Sequence, residues 1–319
     1  MSSIPTTMRA AVIEKFGGPN VFKVKSVPVP EIDDDEVLIA LHTAGVGSWD
    51  PDMRSGWTPS GKPRFPLILG SDGAGTVAAA GKRVRRFKPG DRVYANTFDN
   101  PKGGSYAQYV AVPAENVGAM PEYLDVKQAG ALPISGLTAL QGLDGALHLK
   151  KREDLVITGA SGAVGTVAVQ LAKSLGARVL AVASGKDGVA LVRRLGAEMV
   201  VDGRSAELAE AAEEFAPEGV DAVLALAWSK SMAGLLDALA KGGRVAYPNG
   251  VEPTPQKRGA KVVAYNGEGG TRELAALTRA VEKAKLKVPI AASFPLDEVA
   301  DAHTKVTEHV LGKVILRLR

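Results

Sequence analysis

Three glycines and an alanine form the pattern in this sequence that is most closely tied to a chemical task. Gly159, Gly162 and Gly165 follow the apolar run Leu155 to Ile157, and no helix breaker then occurs before Gly176. An apolar run of this length is typical of a buried parallel strand, so the segment is predicted to fold as strand, tight turn and helix. Ala160, Gly162 and Gly165 occupy the three places of the G-x-G-x-x-G/A pattern, with alanine in the first.

This turn predicts a site for the phosphates of a dinucleotide. The second glycine lets the backbone approach a pyrophosphate, the third allows close helix-strand packing, and the free N–H groups at the helix start bind the anion. The contact residues expected here are Ala160, Ser161, Gly162, Ala163, Val164 and Gly165. The alternative is an ordinary strand-to-helix turn of an α/β protein.

Length and composition predict a soluble protein of roughly two domains. The 319 residues are 45% apolar and 23% charged, and no apolar run is long enough for a transmembrane helix. The N-terminus shows no signal peptide, so the cytoplasm is the expected location. The absence of cysteine excludes disulfides and cysteine-ligated metal sites. The net charge of +4 arises from well-mixed charges, which argues against a nucleic-acid partner.

The order of predicted elements indicates two kinds of domain. The first 125 residues alternate short strands with turns rich in proline and glycine, which predicts a small, partly open barrel. From Val126 onward strands alternate with helices, including helices over Ala139 to Leu147 and over Met232 to Ala240. Six strands with helical crossovers predict a doubly wound parallel sheet, the Rossmann arrangement, so the fold class is α/β.

Seven motifs, in one order along nearly the whole chain, resemble the medium-chain dehydrogenase/reductase family and, within it, the zinc-independent quinone oxidoreductase branch. One of them is the glycine turn. The others are Ala44-Gly-Val-Gly-Ser-Trp-Asp-Pro-Asp-Met-Arg-Ser-Gly56, Leu69-Gly-Ser-Asp-Gly-Ala-Gly-Thr-Val77, Phe87-Lys-Pro-Gly-Asp-Arg-Val93, Gly104-Ser-Tyr-Ala-Gln-Tyr-Val110, Gly136-Leu-Thr-Ala-Leu140 and Gly312-Lys-Val-Ile-Leu316.

The resemblance implies a GroES-like catalytic domain over residues 1–125 and a Rossmann nucleotide-binding domain over residues 126–266. Residues 267–319 would return to the catalytic domain, and the active site would lie in the cleft between the two. It also implies a homodimer paired through the outer strand, Lys261 to Tyr265. An apolar outer strand left unpaired is an association hazard, which agrees with such pairing.

The chain departs from the zinc-dependent members of this superfamily. Gly70-Ser-Asp-Gly73 stands where those enzymes have Gly-His-Glu, and no cysteine is present. No zinc is therefore expected, and elemental analysis of the purified protein would test this. The four histidines, His42, His148, His303 and His309, are interpreted as surface or strand-face residues. Gly47 stands where many quinone-reductase relatives have asparagine.

The residue types favour hydride transfer to a conjugated carbonyl. No nucleophile-base pair or carboxylate dyad is evident, and Asp50, Asp52 and Asp72 are interpreted as caps of loops. A nicotinamide carries the hydride itself, and a quinone or enone needs no metal or strong acid at its oxygen. No catalytic side chain is assigned. The residues predicted to line the substrate pocket are Ser48, Trp49, Trp57, Thr58 and Tyr106, with core packing as the alternative for the tryptophans.

The cofactor is expected to be NADPH. An NAD enzyme of this fold carries an acid about 20 residues beyond the glycine turn, at the tip of the second strand. That tip is the neutral Ser184, with Lys186 two residues later and Arg204 after the third strand, and both cations can reach a 2′-phosphate. Asp187 would oppose them if it turned inward. Thr138, Asn249 and Asn266 are predicted partners of the nicotinamide carboxamide, and Lys313 completes the predicted cofactor contacts.

Two other functions remain open. One is reduction of enoyl thioesters or alkenals, where relatives in this superfamily use a tyrosine after an Arg-x-Gly stretch. Thr58 holds that place here and is a weaker acid on a shorter arm. The other is a redox sensor or structural protein that binds NADPH without turnover.

Overall fold

The computed structural model describes residues 4–59, 61, 63–204 and 207–319 of the chain. It divides the chain into two compact units. Unit 1 contains Met1–Ile134, Gly269–Arg279 and Val288–Arg319, and unit 2 contains Ser135–Glu268 and Ala280–Lys287. Within the described ranges, no helix is long and apolar enough to cross a membrane.

The regular elements are numbered in chain order. The strands are β1 Thr7–Ile13, β2 Phe22–Pro28, β3 Glu36–Val46, β4 Leu67–Ile68, β5 Asp72–Ala80, β6 Arg92–Asn96, β7 Tyr109–Pro113, β8 Val117–Ala119, β9 Asp154–Thr158, β10 Arg178–Ala183, β11 Met199–Asp202, β12 Val220–Ala225, β13 Leu239–Pro248, β14 Lys261–Tyr265, β15 Ile290–Pro295 and β16 Lys313–Arg317. The α-helices are α1 Asp50–Ser55, α2 Val126–Gly130, α3 Pro133–Leu140, α4 Ala163–Leu175, α5 Gly185–Leu195, α6 Leu208–Phe215, α7 Thr271–Ala284 and α8 Val299–Thr307. Short 3₁₀ helices cover Pro19–Val21, Ala114–Asn116, Lys230–Ala238 and Leu296–Glu298, and a π-helix covers Gln141–Ala146.

Unit 1 is built from two sheets. One has the order β2-β1-β4, and the other has the order β15-β16-β3-β5-β6-β8, with β7 also paired to β3. The long strand β3 lies between β5 and β16, and alternate apolar residues such as Ile39 and Leu41 are fully buried. Because Gly45 faces Asp72 on β5 and Val46 faces Val314 on β16, β3 brings the start of β16 close to the start of β5.

Unit 2 contains a six-stranded parallel sheet in the order β11-β10-β9-β12-β13-β14. Its central strand β9 is the apolar run of the sequence, with Leu155, Val156 and Ile157 fully buried. The direction of winding reverses between β9 and β12, and in such sheets ligands bind beyond the carboxyl ends of the strands at that point. The predicted α/β fold class, a doubly wound parallel sheet together with a β-rich part, is confirmed.

Two predicted helices differ from the observed ones. The helix expected over Ala139 to Leu147 ends as an α-helix at Leu140 and continues as a π-helix. The helix expected over Met232 to Ala240 is a 3₁₀ helix that ends at Ala238. There the pairing of Leu239 with Val220 on β12 draws the chain into β13, so tertiary pairing overrides the local helix propensity.

Strand β14 lies at one edge of the unit 2 sheet. Among the residues that the structure describes, it pairs only with β13, and Val262 and Val263 are partly exposed. Pairing of two copies through this strand stays a prediction that light scattering would test.

Substitution of Gly165 by alanine is expected to lower the free energy of unfolding by about 1–3 kcal/mol. A Cβ at this position would lie 2.6 Å from Ala160 Cα and closer still to the carbonyl oxygen of Gly159. Both neighbours are backbone, so they cannot turn aside. The measurement is urea denaturation, with Gly145→Ala as the control because its added Cβ would meet only Gln141 Cβ at 4.0 Å. Equal stability of the two variants would contradict the close-packing argument.

Candidate functional site

The glycine turn of unit 2 has the geometry of an anion site. Gly159 adopts a φ of +67°, and Gly162 precedes α4 without any side-chain cap from the described residues. The N–H groups of the first turn therefore have no side-chain partner there, and Gly162, Ala163 and Val164 are partly exposed. Ala160, Ser161 and Gly165 are buried beneath them. These residues fit the phosphates of a dinucleotide.

The tip of β10 lies beside two cations and one unexpected acid. Ser184 precedes α5, and Lys186 is exposed in the first turn of that helix. The Arg204 guanidinium lies 3.4 Å from the place that a Cβ on Gly185 would occupy. Asp202, at the end of β11, accepts hydrogen bonds from the backbone N–H groups of Gly185 at 3.0 Å and Arg204 at 3.1 Å.

Asp202 is a feature that sequence reasoning missed. The two backbone N–H bonds, that of Gly185 first, hold the pKa of its carboxyl below its usual value, so the group is ionised at neutral pH. Asp187 is the acid that the sequence predicts beside the cations, whereas Asp202 comes directly after the third predicted strand and belongs to no motif. The negative charge of Asp202 lies near the predicted 2′-phosphate cations.

The predicted carboxamide partners lie close together in unit 2. Asn249 Nδ2 donates to Asn266 Oδ1 at 2.9 Å, and the Asn249 N–H donates to the Tyr265 carbonyl at 2.9 Å. The Tyr265 hydroxyl in turn donates to the Thr138 carbonyl at 3.0 Å. Burial raises the pKa of Tyr265, so it serves as a neutral donor. The ends of β13 and β14 and the helix α3 therefore present these three polar residues together.

In unit 1, the loop after β3 is organised by a buried carboxylate. Asp50 is 0% exposed, and its Oδ2 accepts bonds from the Gly47 N–H at 2.8 Å and the Tyr106 hydroxyl at 2.5 Å. The Ser71 hydroxyl donates to Asp50 Oδ1 at 3.3 Å. Burial raises the pKa of Asp50 to about 6, although the bonds from Tyr106 and Gly47 and the charge of Lys313 oppose that rise. Asp50 therefore stabilises the loop, as the sequence predicts, and it does so from the interior of unit 1.

Tyr106 was predicted to line a substrate pocket, and the structure places it in the core of unit 1. It is 0% exposed, and its hydroxyl is engaged by Asp50. Burial, with the neighbouring Asp50 carboxylate, raises the pKa of Tyr106 well above its usual value. Tyr106 is therefore placed to anchor the loop after β3 through its bond to Asp50.

Asp72 and Lys313 form a buried ion pair across β3. Lys313 Nζ lies 2.7 Å from Asp72 Oδ2, with side-chain exposures of 3% and 0%. Gly45 lies between them, and a Cβ there would be 2.9 Å from both Asp72 Cβ and Lys313 Cε. Asp72 Oδ1 also accepts from the Ile134 N–H at 2.6 Å. Asp72 is therefore a strand residue in an ion pair rather than a loop cap, and contact of Lys313 with the cofactor stays a prediction.

The interpretation of His303 as a surface residue is wrong. His303 lies on α8 and is 0% exposed, with its ring packed against Phe22 and Tyr106. Arg54 NH1 lies 3.2 Å from His303 Nδ1. Burial first, and the Arg54 charge second, lower the pKa of His303 to about 3. Since arginine only donates, Nδ1 must accept, and the ring proton sits on Nε2.

Aromatic rings lie close together on the two segments that flank α1 and on the loop that follows β6. Trp49 packs against Phe98 at 6.4 Å between ring centroids and 83° between planes, and Trp57 lies 6.3 Å from Phe98 at 38°. Trp57 is 49% exposed, so the core-packing alternative does not describe it. Ser48 is exposed, and the Thr58 hydroxyl donates to the Gly61 carbonyl at 2.6 Å. Phe98 was absent from the predicted substrate set because its loop carries no motif.

The residues where zinc dehydrogenases hold metal are engaged otherwise. Ser71 is bonded to Trp49 and Asp50, and Asp72 is paired with Lys313. Across the described residues, no group of three or more histidine, aspartate or glutamate side chains is placed to hold a metal ion.

Comparison with known proteins identifies the class. Residues 33–122 match the family described as alcohol dehydrogenase GroES-like domain, and residues 195–316 match the family described as zinc-binding dehydrogenase. The chain is 34% identical over 328 residues to quinone oxidoreductase of Homo sapiens, covering 98% of each protein. It is 34% identical over 329 residues to the chloroplastic NADPH-dependent alkenal/one oxidoreductase of Arabidopsis thaliana, covering 99% of this chain and 81% of that protein.

Solved structures agree with this class. A structure named NAD-dependent alcohol dehydrogenase has a TM-score of 0.88 and 30% identity, and the match covers 98% of this chain and 100% of that chain. A mycobacterial protein complexed with NADPH has a TM-score of 0.82 and 26% identity, covering 97% and 99%. The protein is thus a nicotinamide-dependent oxidoreductase. It belongs to the medium-chain dehydrogenase/reductase family, in the zinc-independent quinone oxidoreductase branch, as its motifs predict.

Replacement of Asp50 by asparagine is expected to flatten the pH dependence of stability. The folded pKa of about 6 lies above the ordinary 3.8, so the contribution of Asp50 is fully present below pH 3.8 and is lost as pH rises through 6. The stability of Asp50→Asn relative to the unchanged protein should therefore rise by about 3 kcal/mol at most between pH 4 and 7. Urea denaturation across that range measures it, and parallel curves would contradict the shifted pKa.

Proposed function

We propose that the protein is an NADPH-dependent reductase of quinones and related conjugated carbonyls. The observation that carries the proposal is an α4 N-terminus that no described side chain caps, in the same unit as a neutral Ser184 with Lys186 and Arg204 nearby. The end-to-end identity of 34% to quinone oxidoreductases supports the choice of substrate.

Each group of residues has a role under this proposal. The bound nicotinamide supplies the hydride. The turn from Ala160 to Gly165 holds the phosphates, and Thr138, Asn249 and Asn266 orient the carboxamide. The partly exposed rings of Trp49, Trp57 and Phe98 bind the acceptor. Ser48 precedes Trp49 in the chain and Thr58 follows Trp57, and both line the same pocket. Because Asp50 and Tyr106 are both 0% exposed, the proton for the carbonyl oxygen comes from water rather than from either group.

The structure gives less support to the alternative functions than to quinone reduction. An enoyl-thioester reductase that used Thr58 as the proton donor would need its hydroxyl free, and the hydroxyl is donated to Gly61. Alkenal reduction has support from the Arabidopsis thaliana relative. A sensor that binds NADPH without turnover would have no need of exposed rings such as Trp57.

A stopped-flow screen tests the proposal directly. NADPH oxidation would be followed with ortho- and para-quinones, alkenals and enoyl thioesters at matched concentrations. We expect the highest kcat/KM with a quinone. Tight NADPH binding with no oxidation by any acceptor would establish the sensor, and a preference for enoyl thioesters would establish the other reductase.

The Lys186→Ala and Arg204→Ala variants are each expected to bind NADPH about ten- to a hundredfold more weakly, with NADH little changed. Loss of one charged contact costs about 1.5–3 kcal/mol, and each 1.4 kcal/mol is tenfold. The loss should shrink as salt screens the charges. Equilibrium titration followed by cofactor fluorescence measures it.

The control is Arg194→Ala, because Arg194 is an exposed cation at the opposite end of α5.

Asp202→Asn should tighten NADPH binding. The substitution removes a negative charge, while the oxygen of the asparagine amide can still accept the two backbone hydrogen bonds. If the unchanged protein binds NADH and NADPH equally, the assignment of NADPH is wrong.

A further inference from the structure

The indole of Trp49 occupies the space that a side chain at position 47 would need. A Cβ on Gly47 would lie 2.5 Å from both Cε2 and Cζ2 of Trp49, which is far inside the contact distance of two carbon atoms. A side chain at 47 and this placement of the indole therefore exclude each other. Glycine at 47 therefore makes room for the tryptophan at 49.

Buried polar groups hold the indole in that place. Trp49 Nε1 donates to Ser71 Oγ at 2.9 Å, and Ser71 donates to Asp50. Ser71 is 1% exposed and Asp50 is 0% exposed, so water does not compete for these bonds. Lys313 Nζ lies 5.1 Å from the centroid of the ring and is itself fixed by its ion pair. The ring has little freedom to turn.

The fixed indole extends into an apolar surface of three rings. Phe98 packs edge-on against Trp49, and Trp57 is tilted against Phe98 and largely exposed. A large exposed aromatic side chain next to two partly buried ones offers flat area to a ligand at little entropic cost. A planar ring can stack on such a surface, whereas an open-chain alkenal presents no comparable face.

We propose that Trp49 is a specificity-determining residue that favours flat, conjugated cyclic carbonyls over open-chain ones, and that Gly47 and Ser71 position it. The inference rests on the proposed reductase function and narrows its substrate to ring compounds such as quinones. Trp49 contacts the acceptor through its ring, and hydride and proton transfer proceed without it.

The test compares kcat/KM for a para-quinone and for a trans-2-alkenal. In Trp49→Leu and in Gly47→Ala, kcat/KM for the quinone should fall about two- to tenfold, mainly through a higher KM. This is the fold-change that corresponds to the loss of one aromatic contact. The value for the alkenal should fall by a smaller factor than the value for the quinone, because an open chain has no ring to stack on the indole. Gly18→Ala is the matched control, because Gly18 is exposed and an added Cβ there meets nothing within 4 Å.

A double variant isolates the role of Gly47. If Gly47 acts only by making room for the indole, Gly47→Ala combined with Trp49→Leu should behave like Trp49→Leu alone. Additive losses would show that Gly47 acts through something else. Thermal denaturation of each variant checks that the fold is kept.

A binding measurement separates this inference from the proposed function. Titration with a hydroquinone, followed by calorimetry, should show affinity two- to tenfold weaker in Trp49→Leu than in the unchanged protein. Unchanged hydroquinone affinity, or equal losses for quinone and alkenal, would overturn the inference. If the unchanged protein reduces neither substrate, the reductase function fails, while the titration still decides whether Trp49 binds flat rings.

Discussion

A carboxylate and an ammonium group meet in the interior of unit 1, and the surrounding loops depend on that contact. Asp72 and Lys313 are 241 residues apart in the chain and lie 2.7 Å apart in space. A charge removed from water destabilises a fold unless it is paired and its remaining polar atoms are bonded, and here the Ile134 N–H donates to the second oxygen of Asp72. Removal of one partner from such a pair costs about 3–5 kcal/mol. The closing strand is thereby tied to β5.

The same contact links the architecture to the aromatic surface. Lys313 lies over the Trp49 ring, and Trp49 reaches Asp50 through Ser71. Where zinc dehydrogenases place metal ligands, this chain uses an ion pair and a chain of hydrogen bonds to fix its loop. The arrangement suits a reaction in which the acceptor is already electrophilic and the protein supplies orientation.

Local backbone sterics made part of the molecule predictable. The turn at Gly159, Gly162 and Gly165 has few solutions, so strand, turn and helix followed from the sequence. The placement of His303 beside Arg54 did not, because 249 residues separate them and no local pattern records the contact.

Contacts between side chains on loops far apart in the chain could not be predicted for the same reason. Phe98 joins the two tryptophans only through the fold of β6, and Asp202 reaches Gly185 only because β10 and β11 are neighbours. Leu239 was assigned to a helix because its pairing with Val220 cannot be read from neighbouring residues.

The mutual exclusion of a side chain at 47 and the indole of Trp49 also constrains which residues can be combined at these two positions. With any side chain at 47, a tryptophan at 49 has to place its indole elsewhere, because the added Cβ would lie 2.5 Å from two atoms of the ring. The observed position of the ring therefore requires glycine at 47. Substitutions at the two positions are coupled, so the effect of a change at 49 depends on the residue that is already present at 47.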